Sequence, residues 1–388
     1  GTTAWAFLNR GGLSFRACPA GTSLPSGLTD LHGAAAADFD GDGDDDVYLA
    51  IGSEKGTDLG WNQLWLQEAP LRLRNVAAGD TLLGDPVGRG RGALAGDWDG
   101  DRRLELLVMN YQSQARLLAW TGAGWRDDTG RLPLPAAVPL WTAGQPPPGP
   151  DERARATWVH AALSADFDGD GRAELLALGR FGWSGLWRAG AGGRFEDVTS
   201  RSGLKPALWP HVPVHAAAGD VDGDGRCDLV LVYRPDPDVR PRRGPVELWR
   251  NRPGPDGAPR FEAAGADAGL AAAGDPAAAL LGDFDNDGAL DLYVVRQAGF
   301  GASEPPNLFF RGDGEGRFAA CGPAWGGTGP LGARPEAACA YDLDRDGDLD
   351  LLTANGAGDG AARDAWVLYR NRGGERGGLT LELASARG

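Results

Sequence analysis

Residues 166–174 read DFDGDGRAE, and the chain writes nearly the same nine-residue sentence six times. The other copies are DFDGDGDDD at 38–46, DWDGDRRLE at 97–105, DVDGDGRCD at 220–228, DFDNDGALD at 283–291 and DLDRDGDLD at 342–350. Each places carboxylates at its first, third, fifth and ninth positions. Carboxylates crowded into one turn repel one another, and a hard divalent cation relieves that repulsion. Calcium, which accepts many oxygen ligands in a flexible geometry, fits best. Asp, Asn and Gly also build ordinary turns, but no turn requires an acid at position nine, and all six copies have one.

The first Asp of the copies recurs at intervals of 59, 69, 54, 63 and 59 residues, which is room for four short strands and their connections. A small-residue segment leads into each loop, as at Gly33–Ala37 and Ala216–Gly219. An apolar segment leaves it: VYLAI from Val47, LLVM from Leu106, LVLVY from Leu229, LYVV from Leu292. The loop is thus the tip of a hairpin between a first and a second strand. A second hairpin follows. Its third strand reads NQLWLQ from Asn62, VELWRN from Val246 or WVLYRN from Trp366, and its fourth LRLRNV from Leu71, GRFEDV from Gly193 or GRFAAC from Gly316. Repeated units of four antiparallel strands make an all-β β-propeller, and one such domain is expected to span residues 1–388. The segment AWAFLNRGGLSFRAC near the N-terminus copies the second hairpin with no loop before it. Seven such hairpins against six loops predict seven blades, with six blades plus an added N-terminal hairpin as the alternative.

The chain has 54 acidic and 38 basic residues, a formal charge of −16. The four ligand positions of the six loops account for 24 of those acids, so the remainder is mildly basic, and six calcium ions would bring the whole to about −4. The low pI therefore reports metal sites and not an acidic tail. No basic stripe or recognition motif supports nucleic-acid binding, and no apolar run reaches the ~18 residues of a membrane span. The chain opens at Gly1 with no Met or leader and is expected to be processed or trimmed. Up to six structural calcium ions belong in calcium-rich space outside the cytoplasm, so a secreted, periplasmic or cell-surface location is expected. Cys18, Cys227, Cys321 and Cys339 lack CxxC spacing, which argues against zinc or redox chemistry. Cys321 and Cys339 flank one blade crossing and form a candidate pair.

The Asp-x-Asp-x-Asp-Gly loop followed by a strand resembles the FG-GAP and VCBS repeats found in integrin α-subunit propellers. With LYRN from Leu368, GRFEDV from Gly193 and GAAAADFDGDGDDDVYLA from Gly33, the fuller pattern is similar to the VCBS-type repeats of the cartilage acidic protein family and its bacterial relatives. There an ASPIC/UnbV segment follows the propeller, and GGLTLELASARG from Gly377 is similar to its opening strand. Residues 375–388 are either that start or a closing strand. The resemblance implies the ligand set. In side chains it comprises Asp38, Asp40, Asp42 and Asp46; Asp97, Asp99, Asp101 and Glu105; Asp166, Asp168, Asp170 and Glu174; Asp220, Asp222, Asp224 and Asp228; Asp283, Asp285, Asp287 and Asp291; Asp342, Asp344, Asp346 and Asp350. The position-seven carbonyls of Asp44, Arg103, Arg172, Arg226, Ala289 and Asp348 complete it. Loop two departs from the pattern, because Arg102 replaces a turn glycine at a position that often needs a positive φ.

The metal hairpins share a rim with the short turns between third and fourth strands. The opposite rim collects the long irregular segments: Arg131–Thr157 with Trp141, Lys205–Val214 with Trp209, Pro323–Glu336 with Trp325, and Tyr233–Pro245. Long loops on a rigid scaffold carry binding. A protein or carbohydrate ligand is expected there, the tryptophans either contacting it or packing between blades. His32, Arg91, His160, His215 and Glu336 fall near the entry of first strands; they are candidates for a ligand face, beside the reading that each is a structural polar residue. The expected function is a binding, adhesion or assembly module, alone or as a subunit of a larger extracytoplasmic complex. A polysaccharide lyase using the same face is the alternative, with His/Arg pairs as base and charge neutraliser. The chain has no nucleophile elbow, zinc motif or phosphate loop, which favours the non-enzymatic reading. Arg311-Gly312-Asp313 spells an integrin-recognition tripeptide in a tight turn, where chance is the better explanation.

Overall fold

The segments that leave the acidic loops are apolar at consecutive positions, which a strand tolerates only where both its faces are covered. The computed structural model shows what covers them. It describes residues 7–9, 14–17, 30–52, 60–70, 72–86, 88–110, 114–134, 158–180, 184–190, 193–208, 211, 213–233, 245–254, 257–270, 276–296, 307–322, 334–356, 366–373 and 381–385. The strands in chain order are β1 (Phe7–Asn9), β2 (Phe15–Ala17), β3 (Leu31–Ala37), β4 (Asp46–Ile51), β5 (Gln63–Ala69), β6 (Arg72–Asn75), β7 (Gly90–Gly96), β8 (Glu105–Asn110), β9 (Arg116–Trp120), β10 (Trp125–Asp127), β11 (Trp158–Ala165), β12 (Glu174–Arg180) and β13 (Gly185–Ala189). They continue with β14 (Phe195–Asp197), β15 (Pro213–Gly219), β16 (Asp228–Tyr233), β17 (Val246–Pro253), β18 (Pro259–Ala263), β19 (Pro276–Gly282), β20 (Asp291–Arg296), β21 (Leu308–Gly312), β22 (Phe318–Ala320), β23 (Arg334–Tyr341), β24 (Asp350–Gly356), β25 (Trp366–Asn371) and β26 (Leu381–Ser385). From β3 onward they fall into six four-stranded sheets, each in chain order, while β1 and β2 form a two-stranded sheet. The sheets are antiparallel throughout, and they are the blades of a β-propeller.

Blades one to three lie in one compact unit, Gly1–Phe7 with Ala17–Pro210; blades four to six lie in a second, Leu8–Arg16 with His211–Gly388. In the first unit β7 packs between β3 and β11. Small residues allow that approach: a Cβ added at Gly33 would stand 2.7 Å from the Cα of Gly92. Strand β8 shows why a second strand is apolar at successive positions. Leu106 and Val108 point to a core with Phe39, Tyr48, Leu64 and Leu118, whereas Leu107 and Met109 point to one with Trp98, Val159, Leu175 and Trp187. Alternate residues face opposite sides of a strand, so a blade with neighbours on both faces needs apolar residues at every step.

The second unit repeats the arrangement, with β19 between β15 and β23. Leu292 and Val294 of β20 join Val230, Val232, Leu248 and Phe310, and Tyr293 and Val295 join Phe284, Phe309, Leu351 and Tyr369. The N-terminal hairpin belongs to this unit, where Asn9 Nδ2 donates to the carbonyl of Leu343, the second residue of loop six, at 2.6 Å. In blade five the N–H of Gly316 donates to the equivalent carbonyl of loop four, Val221, at 2.9 Å. The hairpin therefore meets loop six as a following blade's second hairpin meets loop four.

Seven blades is corrected to six among the described residues. Strand β26 pairs with β25 and completes blade six, so the C-terminal segment supplies an ordinary fourth strand. The hairpin β1–β2 stays a two-stranded sheet. Cys321 and Cys339 do not pair: both are free thiols, as is Cys227. Cys321 follows the outer strand β22, whereas Cys339 sits in β23, the first strand of the next blade. Trp141, Trp209, Trp325 and Cys18 lie outside the described residues, and Glu336 is described only by its strand position. No helix among the described residues is long and apolar enough to cross a membrane.

Candidate metal sites and ligand face

Each acidic loop is held by its own carboxylates. At position one, Asp38 Oδ1 accepts the N–H of Gly41 (2.7 Å) and of Asp42 (3.1 Å), and Oδ2 accepts that of Gly43 (3.0 Å). Asp97 does the same with Gly100, Asp101 and Arg102. These bonds wind the chain through two left-handed residues, positions four and six, in all six loops. Position four is Gly41, Gly100, Gly169, Gly223, Asn286 and Arg345; position six is Gly43, Arg102, Gly171, Gly225, Gly288 and Gly347. Arg102 therefore adopts the conformation it was expected to resist, at φ 69°, and loop two keeps the common geometry. The requirement at position four was not visible in the sequence, because Asn286 and Arg345 interrupt the glycines there.

Position nine braces the loop against its blade. Asp228 Oδ2 accepts the N–H of Val221 at position two, and Oδ1 accepts that of Asn251 in β17 at 2.7 Å. Asp46, Asp291 and Asp350 make the same pair of bonds to Phe39 and Gln67, Phe284 and Gly312, and Leu343 and Asn371. Burial pushes Asp228 and Asp291 up to about 6 and Glu174 up to about 7. Glu105 is also pushed up to about 7, by burial and by the charge of Asp99, against the pull of the Trp98 N–H and Arg131. Position two is the loop's anchor. Phe39, Trp98, Val221 and Phe284 each sit in the core between their blade and the next. An apolar residue at the second position of every copy was the available sequence signal.

Position three is different in kind. Asp40 Oδ1, Asp168 Oδ2, Asp222 Oδ1 and both oxygens of Asp285 and of Asp344 are buried and accept no hydrogen bond. Burial raises Asp40, Asp168 and Asp285. By contrast the N–H of Ala289 holds Asp287, at position five, below the ordinary range. Oxygens of Asp38, Asp40 and Asp42, of Asp97, Asp99 and Asp101, of Asp166, Asp168 and Glu174, of Asp220, Asp222 and Asp228, and of Asp283, Asp285 and Asp291 converge within 4.8 Å of one another in each set. Buried carboxylate oxygens that accept no hydrogen bond, converging with two further acids, fit a hard cation.

Adjacent loops and turns meet on this rim. Arg131, closing the 3-10 turn Thr129–Arg131, donates to the carbonyl of Gly193 in the β13–β14 turn at 2.6 Å. Arg250 donates to that of Gly316 in the β21–β22 turn at 2.9 Å. Asn286 Nδ2 of loop five donates to Asp348 of loop six at 2.6 Å. The tripeptide Arg311-Gly312-Asp313 is absorbed here: Arg311 pairs with Asp285 and Asp287, the Gly312 N–H is bound by Asp291, and Asp313 pairs with Arg317.

Strand pairing sorts the candidate ligand residues. Each first strand skips one residue in its register with the second. The skipped residues are His32, Arg91, His160, Val214, Ala277 and Glu336. Four of the five candidates thus occupy one equivalent position, six residues before the first Asp of their loop, a spacing already present in the sequence; the pairing shows that this position is a bulge. His215 is one residue further on, paired with Val232. Its Nδ1 accepts the Ala279 N–H at 3.4 Å, and burial pulls its pKa down to about 4, which favours the neutral imidazole. His32 lies 3.1 Å from Asp30, with a third of its side chain exposed.

Residues 166–231 and 220–294 match the FG-GAP-like repeat. Each matched stretch starts on the first Asp of a loop and runs through the next loop into the strand beyond it. None of the curated proteins matches the chain in sequence. Among solved structures it is similar to a putative 6-phosphogluconolactonase from Bacteroides uniformis, at a TM-score of 0.50 and 15% identity over 94% of this chain and 86% of that one. A putative 6-phosphogluconolactonase from Bacteroides fragilis gives 0.49 and 15%, covering 91% and 83%. A lectin from Aleuria aurantia gives 0.40 and 12%, covering 91% and 94%. At these identities the likeness concerns the fold alone.

Proposed function

We propose that this β-propeller of FG-GAP-like repeats is an extracytoplasmic binding module, its loop rim braced by up to six structural calcium ions. Its ligand, a protein or a carbohydrate, is taken by the long segments between strands, most of whose residues lie outside the described ones, and the module acts alone or within a larger assembly. The observation that carries the reading is the position-three carboxylate, buried in five of the loops with at least one oxygen that accepts no hydrogen bond, although in four of them an arginine of the same blade lies beside it. Such a group is costly to hide unless something pairs with it. The carboxylates of positions one, three, five and nine, with the position-seven carbonyl, would hold the ion. Positions one and nine already accept N–H bonds, but each carboxylate oxygen has a second lone pair to offer. Bound calcium supplies charge neutralisation and oxygen coordination at these clusters. The acids that dominate the chain's charge are thereby committed to the scaffold, which leaves the irregular loops to recognise the ligand.

The test is thermal unfolding of the whole chain after exhaustive dialysis against chelator. A site held at 100 times its dissociation constant contributes about 2.7 kcal/mol. The melting temperature is expected to fall sharply on metal removal, return with calcium and respond poorly to magnesium, which demands a tighter octahedral shell. An identical melting curve with and without calcium, in protein shown to be metal-free, would overturn the reading.

A further inference from the structure

Four loops carry an occupant of their own. In β13 Arg188 lies 3.0 Å from Asp168 and 3.4 Å from Asp170. In β17 Arg252 reaches Asp222 at 2.8 Å and Asp224 at 2.7 Å. In β21 Arg311 reaches Asp285 at 2.9 Å and Asp287 at 2.5 Å, and in β25 Arg370 reaches Asp344 at 2.5 Å and Asp346 at 3.2 Å. The target is the same each time: positions three and five of the blade's own loop. The placement follows from the strand. Arg311 and Arg370 directly precede Gly312 and Asn371, whose N–H groups are bound by position nine, and Arg252 directly follows Asn251, which does the same in blade four. Blade four has Arg250 at the other side of Asn251, and that guanidinium is spent on Gly316. Because residues two apart share a strand face, Arg252 reaches the loop in its stead.

The guanidinium meets the charge of the pocket but not its coordination. Both oxygens of Asp285 and of Asp344 remain without a hydrogen bond although an arginine nitrogen is near, and the Nε atoms of Arg311 and Arg370 likewise make no hydrogen bond. Each of the four side chains is also about a third exposed or more (31% for Arg188, 34% for Arg252, 42% for Arg311, 39% for Arg370). Such a group leaves for water without a large desolvation cost and without moving its strand. Arg131 is the contrast. At 15% exposure it is held by Asp99, Glu105 and Asp128 and by the Gly193 carbonyl, so it is a fixed part of loop two.

We propose that Arg188, Arg252, Arg311 and Arg370 are displaceable internal cations that compete with calcium for the position-three and position-five carboxylates, holding loops three to six in shape when the metal is away and lowering their affinity for it. The proposal rests on the calcium reading above. It orders the sites. Among the described residues no arginine is ion-paired to the acids of loop one, which therefore binds calcium most tightly. Loops three to six follow, and loop two, with Arg131 fixed in place, is weakest.

The test is calcium titration of the whole chain in competition with a chromophoric chelator, with melting curves in parallel. The variant Arg188→Gln/Arg252→Gln/Arg311→Gln/Arg370→Gln is expected to keep the number of sites, to tighten four of them at least tenfold each, and to melt lower than the parent in chelator. Tenfold corresponds to about 1.4 kcal/mol per site. Should the fourfold variant not fold without metal, Arg311→Gln alone is read for one tightened site. Calcium affinities unchanged or weakened in the variant, with binding intact in the parent, would overturn the proposal. So would an equal tightening in Arg201→Gln, whose ion pair with Glu196 is not with a loop carboxylate, because the effect would then be a general field. Absence of calcium binding in the parent would instead remove the calcium reading itself.

Discussion

Two glycines separate the backbone cost of a turn from the cost of losing a contact between blades. Gly316, in the β21–β22 turn, has φ 79°, and a Cβ there would stand 2.8 Å from Arg250 Nε and 3.2 Å from Asp222 Cβ. Gly257, in the β17–β18 turn, has φ 77° with nothing within 4 Å. Alanine at either site takes on about 1–2 kcal/mol of left-handed strain, offset by about 0.4–1 kcal/mol of unfolded-state entropy. Gly257→Ala should therefore lose about 1 kcal/mol. Gly316→Ala must also push Arg250 off the Gly316 carbonyl, and a hydrogen bond from a charged donor contributes about 1.5–3 kcal/mol. Its total loss should be about 2–4 kcal/mol. The assay is urea unfolding of both variants beside the parent, in chelator and in calcium. Because the clash also bears on Asp222, the gain from calcium should shrink in Gly316→Ala and not in Gly257→Ala. Equal losses in the two variants would refute the claim that the turn of one blade buttresses the loop of the blade before it.

Metal-free stability should run against the usual pH trend. Glu105 and Glu174 sit at about 7, against an unperturbed value of 4.5, and Asp228 and Asp291 sit at about 6, against 3.8. A carboxyl with a raised folded pKa gives stability that is complete below the unfolded value and lost as pH climbs through the folded one, so melting in chelator should be higher near pH 5 than near pH 7.5. Melting that rises with pH over that span would contradict the burial of position nine; saturating calcium should flatten or reverse the trend, because it needs the deprotonated loop. Phe284→Ala should cost about 3–5 kcal/mol in urea unfolding, since Phe284 is fully buried, edge-on to Phe309 at 5.2 Å between ring centres; a loss under 1 kcal/mol would mean that position two is no anchor.

The repeat in the sequence carried most of the scaffold: the loop at the tip of the first hairpin, the strand pairing within each blade, and a rim shared by loops and third-to-fourth turns, seen in the bond from Gly316 to Val221. What it missed has physical causes. The blade count failed at the N-terminus, because AWAFLNRGGLSFRAC copies a second hairpin in its letters while β1 and β2 remain a two-stranded sheet among the described residues. His215 was grouped with His32 and His160 although it stands five residues before its loop and they stand six before theirs, which places it one residue past the bulge. Position nine read as a ligand on its charge, and its hold on two backbone N–H groups appears only when the third strand lies beside it. The arginines of the third strands were legible as letters but not as occupants, since 20 or more residues separate Arg252, Arg311 and Arg370 from the acids they meet.

The bulge that opens every first strand has a consequence for how such a protein changes over time. The register of the ladder passes over one residue in each first strand, and at that one position the blades hold His32, Arg91, His160, Val214, Ala277 and Glu336. Cationic, acidic, imidazole and aliphatic side chains are all admitted, although Val214 and Ala277 lean on the cores beside them. Mutation there leaves the register of the ladder in place while the loops, anchors and cores go on specifying the same fold. The chain thus keeps one freely spelled letter in each otherwise fixed repeat.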